Sequence, residues 1–453
     1  MEHTTTAAMP AAATKLGSRT RWTILAILFI VTTINYADRA TIAIAGPDIR
    51  KTLGLSAVEM GFVFSAFGWS YVLAQLPGGW LLDRFGSKIT YFFSIFLWSV
   101  FTMLTGVAGF FTGAAAVATL FLLRFLVGAA EAPSFPGNSR ITSAWFPTHE
   151  RGLASALFNS AQYFATVIFA PLMGWLVHSF GWESVFLVMG GTGVVMAFVW
   201  LKAMYGPKDH PSVSASELAY IEAGGALVDL DGAKRASGPA IDTVAVIKEL
   251  LGNRMLLGVY IGQYCINTLT YFFLTWFPVY LVQERHMTIL KAGFVASIPA
   301  IAGFLGGVCG GAISDRLTKA GFSLSMSRKL PIVCGMLLSM SMVACNYIEQ
   351  DMAVVAVMAL AFFGKGVGAL GWAVVADTSP KEAGGLSGAL FNMFGNVAGI
   401  TTPIVIGFIL QGTGSFAGAL VYVGANAAVT ILCYVFVVGE IKRVSLVKSL
   451  SRK

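Results

Sequence analysis

The sequence predicts an all-α membrane protein whose twelve transmembrane helices form two six-helix pseudo-repeats. Of the 453 residues, 56% are hydrophobic and only 11% are charged, whereas soluble domains carry about 25% charged residues. About twelve apolar runs reach the length of around 20 residues that a helix needs to cross a bilayer. Short motifs of the first half also return in the second half at a nearly constant offset.

The apolar runs fill nearly all of the chain and are separated by one long polar stretch. The predicted spans are residues 22–45, 57–82, 88–110, 114–138, 153–178, 183–205, 254–283, 289–314, 328–348, 352–377, 385–411 and 416–438. The predicted organisation is a tail at 1–21, a six-helix bundle at 22–205, a linker at 206–253, a second bundle at 254–440 and a tail at 441–453. Ser214 and Glu217 form a capping-box pattern that predicts one short surface helix in the linker.

Basic residues in short loops predict the orientation of the bundle. Lys and Arg accumulate in the cytoplasmic loops of membrane proteins. Here they occupy alternate loops and both tails: Lys15, Arg19, Arg21, Arg84, Lys88, Arg140, Arg151, Lys319, Arg328, Lys329, Lys442 and Arg443. We therefore predict that both termini and the linker are cytoplasmic. The same placement accounts for the net charge of +8 without a nucleic-acid partner.

Two unrelated motifs indicate that the halves are repeats. Gly79-Trp-Leu-Leu-Asp83-Arg84 matches Gly311-Ala-Ile-Ser-Asp315-Arg316 at an offset of 232 residues. The stretch Leu153–Asn159 matches Leu386–Asn392 at an offset of 233. Parallel six-helix repeats with a binding site near the midplane between them are a transporter architecture.

In the first half, two of the apolar runs carry charged residues deep inside them. Arg124 and Glu131 share one face of the fourth predicted helix with a rise of roughly 10 Å between them, too far for a direct ion pair. Asp38 and Arg39 lie at a depth in the first helix that overlaps that of Arg124. Such groups cost about 2.5–3.5 kcal/mol at a helix centre and usually mark substrate or proton pathways. The alternative is a structural arginine that pairs with a neighbouring helix.

Several motifs resemble a known family. Gly79-x-x-x-Asp83-Arg84-x-Gly86-Ser-Lys88 resembles the loop motif of the major facilitator superfamily. Asn35-Tyr36-Ala-Asp38-Arg39 and Glu131-Ala-Pro-Ser-Phe-Pro136 look like its anion:cation symporter family, and in particular its bacterial D-glucarate/D-galactarate proton symporters. The resemblance spans nearly the whole chain. It implies the major facilitator fold and a proton-coupled importer of a sugar-acid anion in the bacterial inner membrane.

The resemblance also implies roles for individual residues. Arg39 and Arg124 would bind the substrate, and Asp38 and Glu131 would carry protons. A second set has polar tips that would hold sugar hydroxyls: Tyr36, Tyr71, Gln162, Trp372 and Asn392. For any one of these, an ordinary interhelical hydrogen bond of roughly 0.6 kcal/mol is the competing interpretation. A gating latch at the cytoplasmic helix ends would use Asp83, Arg84, Lys88, Asp315 and Arg316, although positive-inside topology and helix capping alone would also place charges there.

Lys365 is the deep charge of the second half. It lies roughly 20 Å into the tenth predicted helix, near the midplane. Its partner could be Glu131, water, or a negative charge on the substrate. A sugar diacid has a carboxylate at each end, so Arg39 and Arg124 could hold one while Lys365 holds the other.

Other classes of protein fit the sequence less well. The five cysteines and five histidines are scattered, so no enzyme active site, metal site or cofactor is predicted. A passive facilitator needs no titratable carboxylate in its path. An exchanger of organic anions, or a transporter of an aldonate, hexuronate or other small carboxylate, remains open. The expected partners are a small organic anion, protons and the lipid bilayer, with no obligate protein partner.

Overall fold

The computed structural model describes residues 18–147, 150–229, 243–380 and 383–446. The regular secondary structure of these residues is helical, and twelve helices are long and apolar enough to cross a membrane. They are α1 Thr20–Leu53, α2 Ala57–Gln75, α3 Arg84–Phe110, α4 Gly113–Trp145, α5 Leu153–Phe180, α6 Trp182–Ala203, α7 Arg254–Gln283, α8 Ile289–Lys319, α9 Leu324–Tyr347, α10 Asp351–Thr378, α11 Leu386–Thr413 and α12 Ala417–Val437. The predicted all-α membrane fold with twelve spans is confirmed.

Several of these helices are interrupted inside the bundle. α3 is kinked near its start at Gly86, whose φ of 77° suits a residue without a Cβ atom. α4 breaks after Glu131, and α10 breaks after Val367. α7 contains a π-helical turn at Phe272–Trp276, a distortion that is frequent at functional sites. Two of these breaks lie next to charged residues that the sequence singles out.

The two halves, α1–α6 and α7–α12, pack together mainly through α2 with α11 and α5 with α8. A Cβ atom on Gly61 of α2 would lie 2.6 Å from the carbonyl oxygen of Pro403 in α11. Gly174 of α5 and Gly293 of α8 also approach through their backbones. Small residues allow helices in a membrane to approach this closely, so the sequence builds tight contacts between the halves.

These contacts seal one end of the bundle. α1 begins and α12 ends at one end, which we call the termini face, and the other end is the opposite face. At the opposite face, Arg50 of α1 donates a hydrogen bond to Gln283 of α7 at 2.6 Å. The backbone N–H of Val58 donates to the side chain of Gln411 in α11 at 3.3 Å. The halves therefore meet at the opposite face in this conformation.

The linker docks onto the first half at the termini face. Its helix Ala215–Ala223 starts at Ser214, whose hydroxyl accepts from the N–H of Glu217 as the capping pattern predicts. The carboxylate of Glu217 is fully buried. It accepts hydrogen bonds from the N–H of Thr20 at 2.9 Å and from the guanidinium of Arg21 at 3.0 Å. The predicted surface helix is thus a docked helix, and a second helix, Thr243–Gly252, follows in the linker.

This docking has a defined dependence on pH. Burial raises the pKa of Glu217, but hydrogen bonds from Ser18, Thr20 and Arg21 outweigh it and hold that pKa below its ordinary value. A carboxyl whose pKa is lower in the folded than in the unfolded protein stabilises the fold above its unfolded pKa. The contribution of Glu217 is therefore complete at neutral pH and is lost as pH falls through its lowered pKa.

Candidate functional site

The centre of the first half holds a buried ion pair. Nε of Arg39 in α1 lies 2.8 Å from Oε2 of Glu131 in α4, and both side chains are buried. The guanidinium carbon of Arg39 also lies 4.9, 4.6 and 4.8 Å from the ring centroids of Tyr36, Phe67 and Tyr71. Cations over aromatic rings are held by the ring quadrupole, more strongly where water is excluded. An aromatic cage therefore fixes Arg39 in front of Glu131.

The second arginine of the cluster holds the backbone of α1. Arg124 donates to the carbonyl oxygens of Asp38 at 3.3 Å and of Arg39 at 3.4 Å. It lies on the same face of α4 as Glu131 but makes no ion pair with it among the described contacts. The sequence prediction that these two residues find separate partners agrees with this geometry. Because α1 carries both Asp38 and Arg39, its packing on α4 brings all four charged residues together.

Asp38 is fully buried, and its two carboxylate oxygens lack hydrogen-bond partners among the described residues. The indole of Trp98 in α3 lies beside this carboxyl, and Glu131 and Arg124 are its charged neighbours. The second oxygen of Glu131 and the side-chain amide of Asn35 are likewise unpartnered in this part of the chain. Burying an ionised carboxylate without partners is costly, whereas a protonated carboxyl is far cheaper. The cluster can therefore hold protons on its carboxyl groups.

A small cavity lies between the halves, beside this cluster. Its volume is about 70 Å³, and Tyr36, Gln162 and Tyr163 line it from the first half. Phe273 and Phe362 line it from the second half. The predicted hydroxyl-binding residues Tyr36 and Gln162 thus face the second half across open space, while Tyr71 belongs to the cage around Arg39.

A chain of amides crosses between the halves on the other side of the cluster. Asn392 of α11 donates to Gln75 of α2 at 3.4 Å. Asn396 donates to the backbone and side chain of Asn392, and it accepts from the hydroxyl of Tyr271 at 3.0 Å. The sequence prediction missed Asn396 and Tyr271. Their signal was a polar side chain inside an apolar run, with Asn396 one turn beyond Asn392.

Trp372 and Lys365 lie on either side of the break in α10. The side chain of Trp372 is 56% exposed and packs edge-on against Phe391, so in this conformation it does not join the groups around Arg39. Lys365 is buried, and its ammonium lies 5.2 Å from the ring centroid of Phe362. Phe362 lines the cavity, so Lys365 lies next to a residue of the cavity wall.

The structure describes only part of the predicted latch. Nζ of Lys88 lies 3.4 Å from the ring centroid of Tyr205, so this lysine is engaged within the first half. The ion pair described at this end of the second half joins Arg328 to Asp377 at 2.9 Å. Three other residues of the predicted latch are exposed: Arg84, Asp315 and Arg316. The side chain of Asp83 lies outside the described residues. The described residues contain no cluster of three potential metal ligands.

The whole chain is similar to known transporters. Residues 28–368 match the model of the Major Facilitator Superfamily. The chain is 63% identical over 440 residues to the "Probable galactarate/D-glucarate transporter GudP" of Bacillus subtilis (strain 168), covering 97% of this chain and 96% of that protein. It is 43% identical over 438 residues to the "D-galactonate transporter" of Escherichia coli O6:H1, covering 96% and 99%.

A solved structure with the same fold is that of a D-xylose-proton symporter. Its TM-score is 0.69 at 15% identity, and the match covers 94% of this chain and all of that one. At this identity the likeness concerns the fold, and it agrees with the two packed six-helix halves described above.

Proposed function

Because this chain belongs to the Major Facilitator Superfamily, we propose that it is a secondary active transporter that imports a sugar diacid with protons by alternating access. Glucarate and galactarate are the best candidate substrates, since the GudP relative with 63% identity carries both in its name. The observation that carries the proposal is the buried pair of Arg39 and Glu131 at 2.8 Å. If Arg39 binds the anion and Glu131 binds the proton, this contact makes Glu131 and the substrate compete for the same cation.

The pair suggests how substrate and protons are coupled. An arginine fork binds a carboxylate through two parallel hydrogen bonds, but here Glu131 already occupies Arg39. A proton on Glu131 removes its charge and frees Arg39 for a carboxylate of the substrate. When that proton leaves, the glutamate competes with the substrate for the same cation. The site then binds its anion differently in its two protonation states, which coupling requires.

This conformation fits one of the two end states of an alternating-access cycle. The halves meet at the opposite face through the bond from Arg50 to Gln283 and the packing of Gly61. If the termini face is cytoplasmic, as the basic loops predict, this state is closed to the outside. Glu131 holding Arg39 then corresponds to a site from which substrate has left. We assign the charged helix ends around Arg84 and Lys88 to the latch that closes the termini face in the other state.

A second candidate is the transport of an aldonate, which the 43% identity to a D-galactonate transporter supports. An aldonate has one carboxylate, for which Arg39 alone would suffice. Exchange of two organic anions is the remaining alternative. A passive facilitator explains neither the buried Asp38 nor the Arg39–Glu131 pair.

Uptake into proteoliposomes tests the proposal. Purified protein is reconstituted, an inward acid gradient is imposed with the membrane potential clamped at zero, and labelled D-glucarate is added outside. We expect accumulation above the external concentration, collapse by a protonophore, and competition by unlabelled galactarate. Uptake that needs an internal anion and ignores the pH gradient would instead identify an exchanger. Reporter fusions to both tails test the proposed cytoplasmic termini in the inner membrane.

A further inference from the structure

Lys365 is a buried cation at an interrupted helix end. It lies in the last turn of the first segment of α10, Asp351–Val367, and its side chain is 6% exposed. The free carbonyl groups at a helix C-terminus favour a cation by up to about 1 kcal/mol at exposed sites. That is less than the cost of a charge at membrane depth, so such lysines pair or face water. Lys365 therefore needs either water or an anionic partner.

The acidic groups of the described residues are engaged elsewhere or have other neighbours. Glu131, which the sequence offered as a partner, lies 2.8 Å from Arg39. Asp377 lies 2.9 Å from Arg328. Asp38 has Arg124 as its neighbouring cation. The contact of the Lys365 ammonium is the ring of Phe362 at 5.2 Å, and no carboxylate lies within ion-pair distance of it in this part of the chain.

The cavity between the halves has a cation next to a lining residue in each half. Tyr36 lines it from the first half with the Arg39 guanidinium 4.9 Å from its ring centroid. Phe362 lines it from the second half with the Lys365 ammonium 5.2 Å from its own. A six-carbon acid that bridges the two cations would occupy the space between these two walls.

We propose that Lys365 binds the second carboxylate of the substrate and makes the site selective for diacids over monoacids. The inference rests on the proposed function. Fully extended, a six-carbon diacid separates its terminal carbons by roughly 6 Å, so a single molecule can present one carboxylate to each of two cations on opposite halves. An ammonium is a compact point charge that accepts a carboxylate in many orientations. A monoacid presents a hydroxymethyl group there and leaves the lysine without its anion.

The same contact would couple binding to closure. Arg39 belongs to α1 and Lys365 to α10, so a diacid that engages both joins the two halves through one small molecule. A monoacid would engage the first half alone. A ligand shifts a conformational equilibrium only by its difference in affinity for the two states. A diacid bound from both sides has that difference, because the second contact depends on how close the halves are.

Matched ligand pairs test the inference. D-glucarate and D-gluconate differ only at C6, and galactarate and D-galactonate differ in the same way. Affinities for the four acids are measured by calorimetry on the purified parent and on Lys365→Met, Lys365→Arg and Lys319→Met. Lys319 is an exposed lysine at the end of α8, so its variant controls for the loss of one positive charge. The midpoint of thermal unfolding without ligand reports whether each variant is folded.

We expect the parent to bind glucarate about tenfold or more tightly than gluconate, as one charged hydrogen bond implies. Lys365→Met should lose about that factor for the diacids and change by less than about twofold for the monoacids. Lys365→Arg should retain the preference, and Lys319→Met should behave as the parent. Equal losses for both acids in a folded Lys365→Met protein, or an unchanged affinity for glucarate, would overturn the inference while leaving the transporter proposal intact. A parent that binds none of the four acids would instead refute the proposed function.

Discussion

Replacing Glu131 by Gln tests the competition at the centre of the proposed mechanism. The substitution keeps the size of the side chain and removes the charge that faces Nε of Arg39 at 2.8 Å. Arg39 keeps the rings of Tyr36, Phe67 and Tyr71, which limits the cost of leaving a cation without its anion. The variant should therefore fold and present an arginine that is permanently available to a carboxylate.

The size of the effect follows from the bond that is lost. A hydrogen bond between charged groups contributes about 1.5–3 kcal/mol, which corresponds to a factor of about 10 to 100 in affinity. At a pH where Glu131 is ionised, Glu131→Gln should therefore bind glucarate about tenfold more tightly than the parent, or better. If one proton must bind before the substrate, the affinity of the parent falls by up to about tenfold for each pH unit above the pKa of that group. The affinity of Glu131→Gln for glucarate should lack the part of this pH dependence that comes from Glu131.

The assay is a titration of glucarate binding between about pH 5.5 and 8, followed by uptake in proteoliposomes. Glu183→Gln is the control, because Glu183 lies in the first turn of α6 at the opposite face. We expect Glu131→Gln to exchange labelled for unlabelled substrate but to accumulate none against a gradient. A variant that keeps the pH slope of the parent and still accumulates glucarate would show that Glu131 does not compete for Arg39.

Two further predictions concern the scaffold. Gly61→Leu should keep glucarate binding but lose most uptake, because its side chain would collide with the α11 backbone at 2.6 Å and hold the opposite face open. Gly191→Leu, at a glycine of α6 with free space around it, is the control, and labelling of cysteines introduced at the opposite face is the measurement. Glu217→Gln should lower the free energy of unfolding by about 1.5–3 kcal/mol, the contribution of a hydrogen bond to a charged group, because Arg21 keeps its ion pair with Glu150 at 2.9 Å; thermal unfolding at neutral pH is the measurement. Glu222→Gln, an exposed change on the same helix, should not.

The sequence predicted the helices better than it predicted their contacts. Apolar runs mark the bilayer section of each span, so all twelve could be found without a structure. The pairing of Arg39 with Glu131 could not, because 92 residues separate them and their contact depends on how α1 packs on α4. The rise along α4 showed only that Glu131 needed a partner other than Arg124. The choice of that partner is a property of the packed bundle.

The linker helix gives a second example of a contact that the sequence alone does not predict. The capping pattern at Ser214 correctly placed a helix start, since that signal is local. The local sequence does not determine whether the carboxylate of Glu217 bonds to its own helix or to another part of the protein. Its carboxylate accepts from Thr20 and Arg21, nearly two hundred residues earlier in the chain. A polar residue on a short amphipathic helix looks like a solvated one until the surface that covers it is known.

The charges buried at the centre of the bundle give a prediction for the proton count. Among the described residues, the buried charged side chains within its spans and away from the termini face are Asp38, Arg39, Arg124, Glu131 and Lys365. With both carboxyl groups ionised these sum to one positive charge. A bound dianion together with a proton on each carboxyl group gives the same sum. Moving charge into a low-dielectric interior is costly, so a cycle whose empty and loaded forms carry equal buried charge has no additional barrier in either direction.

We therefore expect two protons to be transported with each diacid. Uptake under a fixed pH gradient should then be unchanged when a potassium diffusion potential is imposed across the proteoliposome membrane. A rate that rises or falls with that potential would mean that one of the two carboxyl groups keeps a single protonation state throughout the cycle.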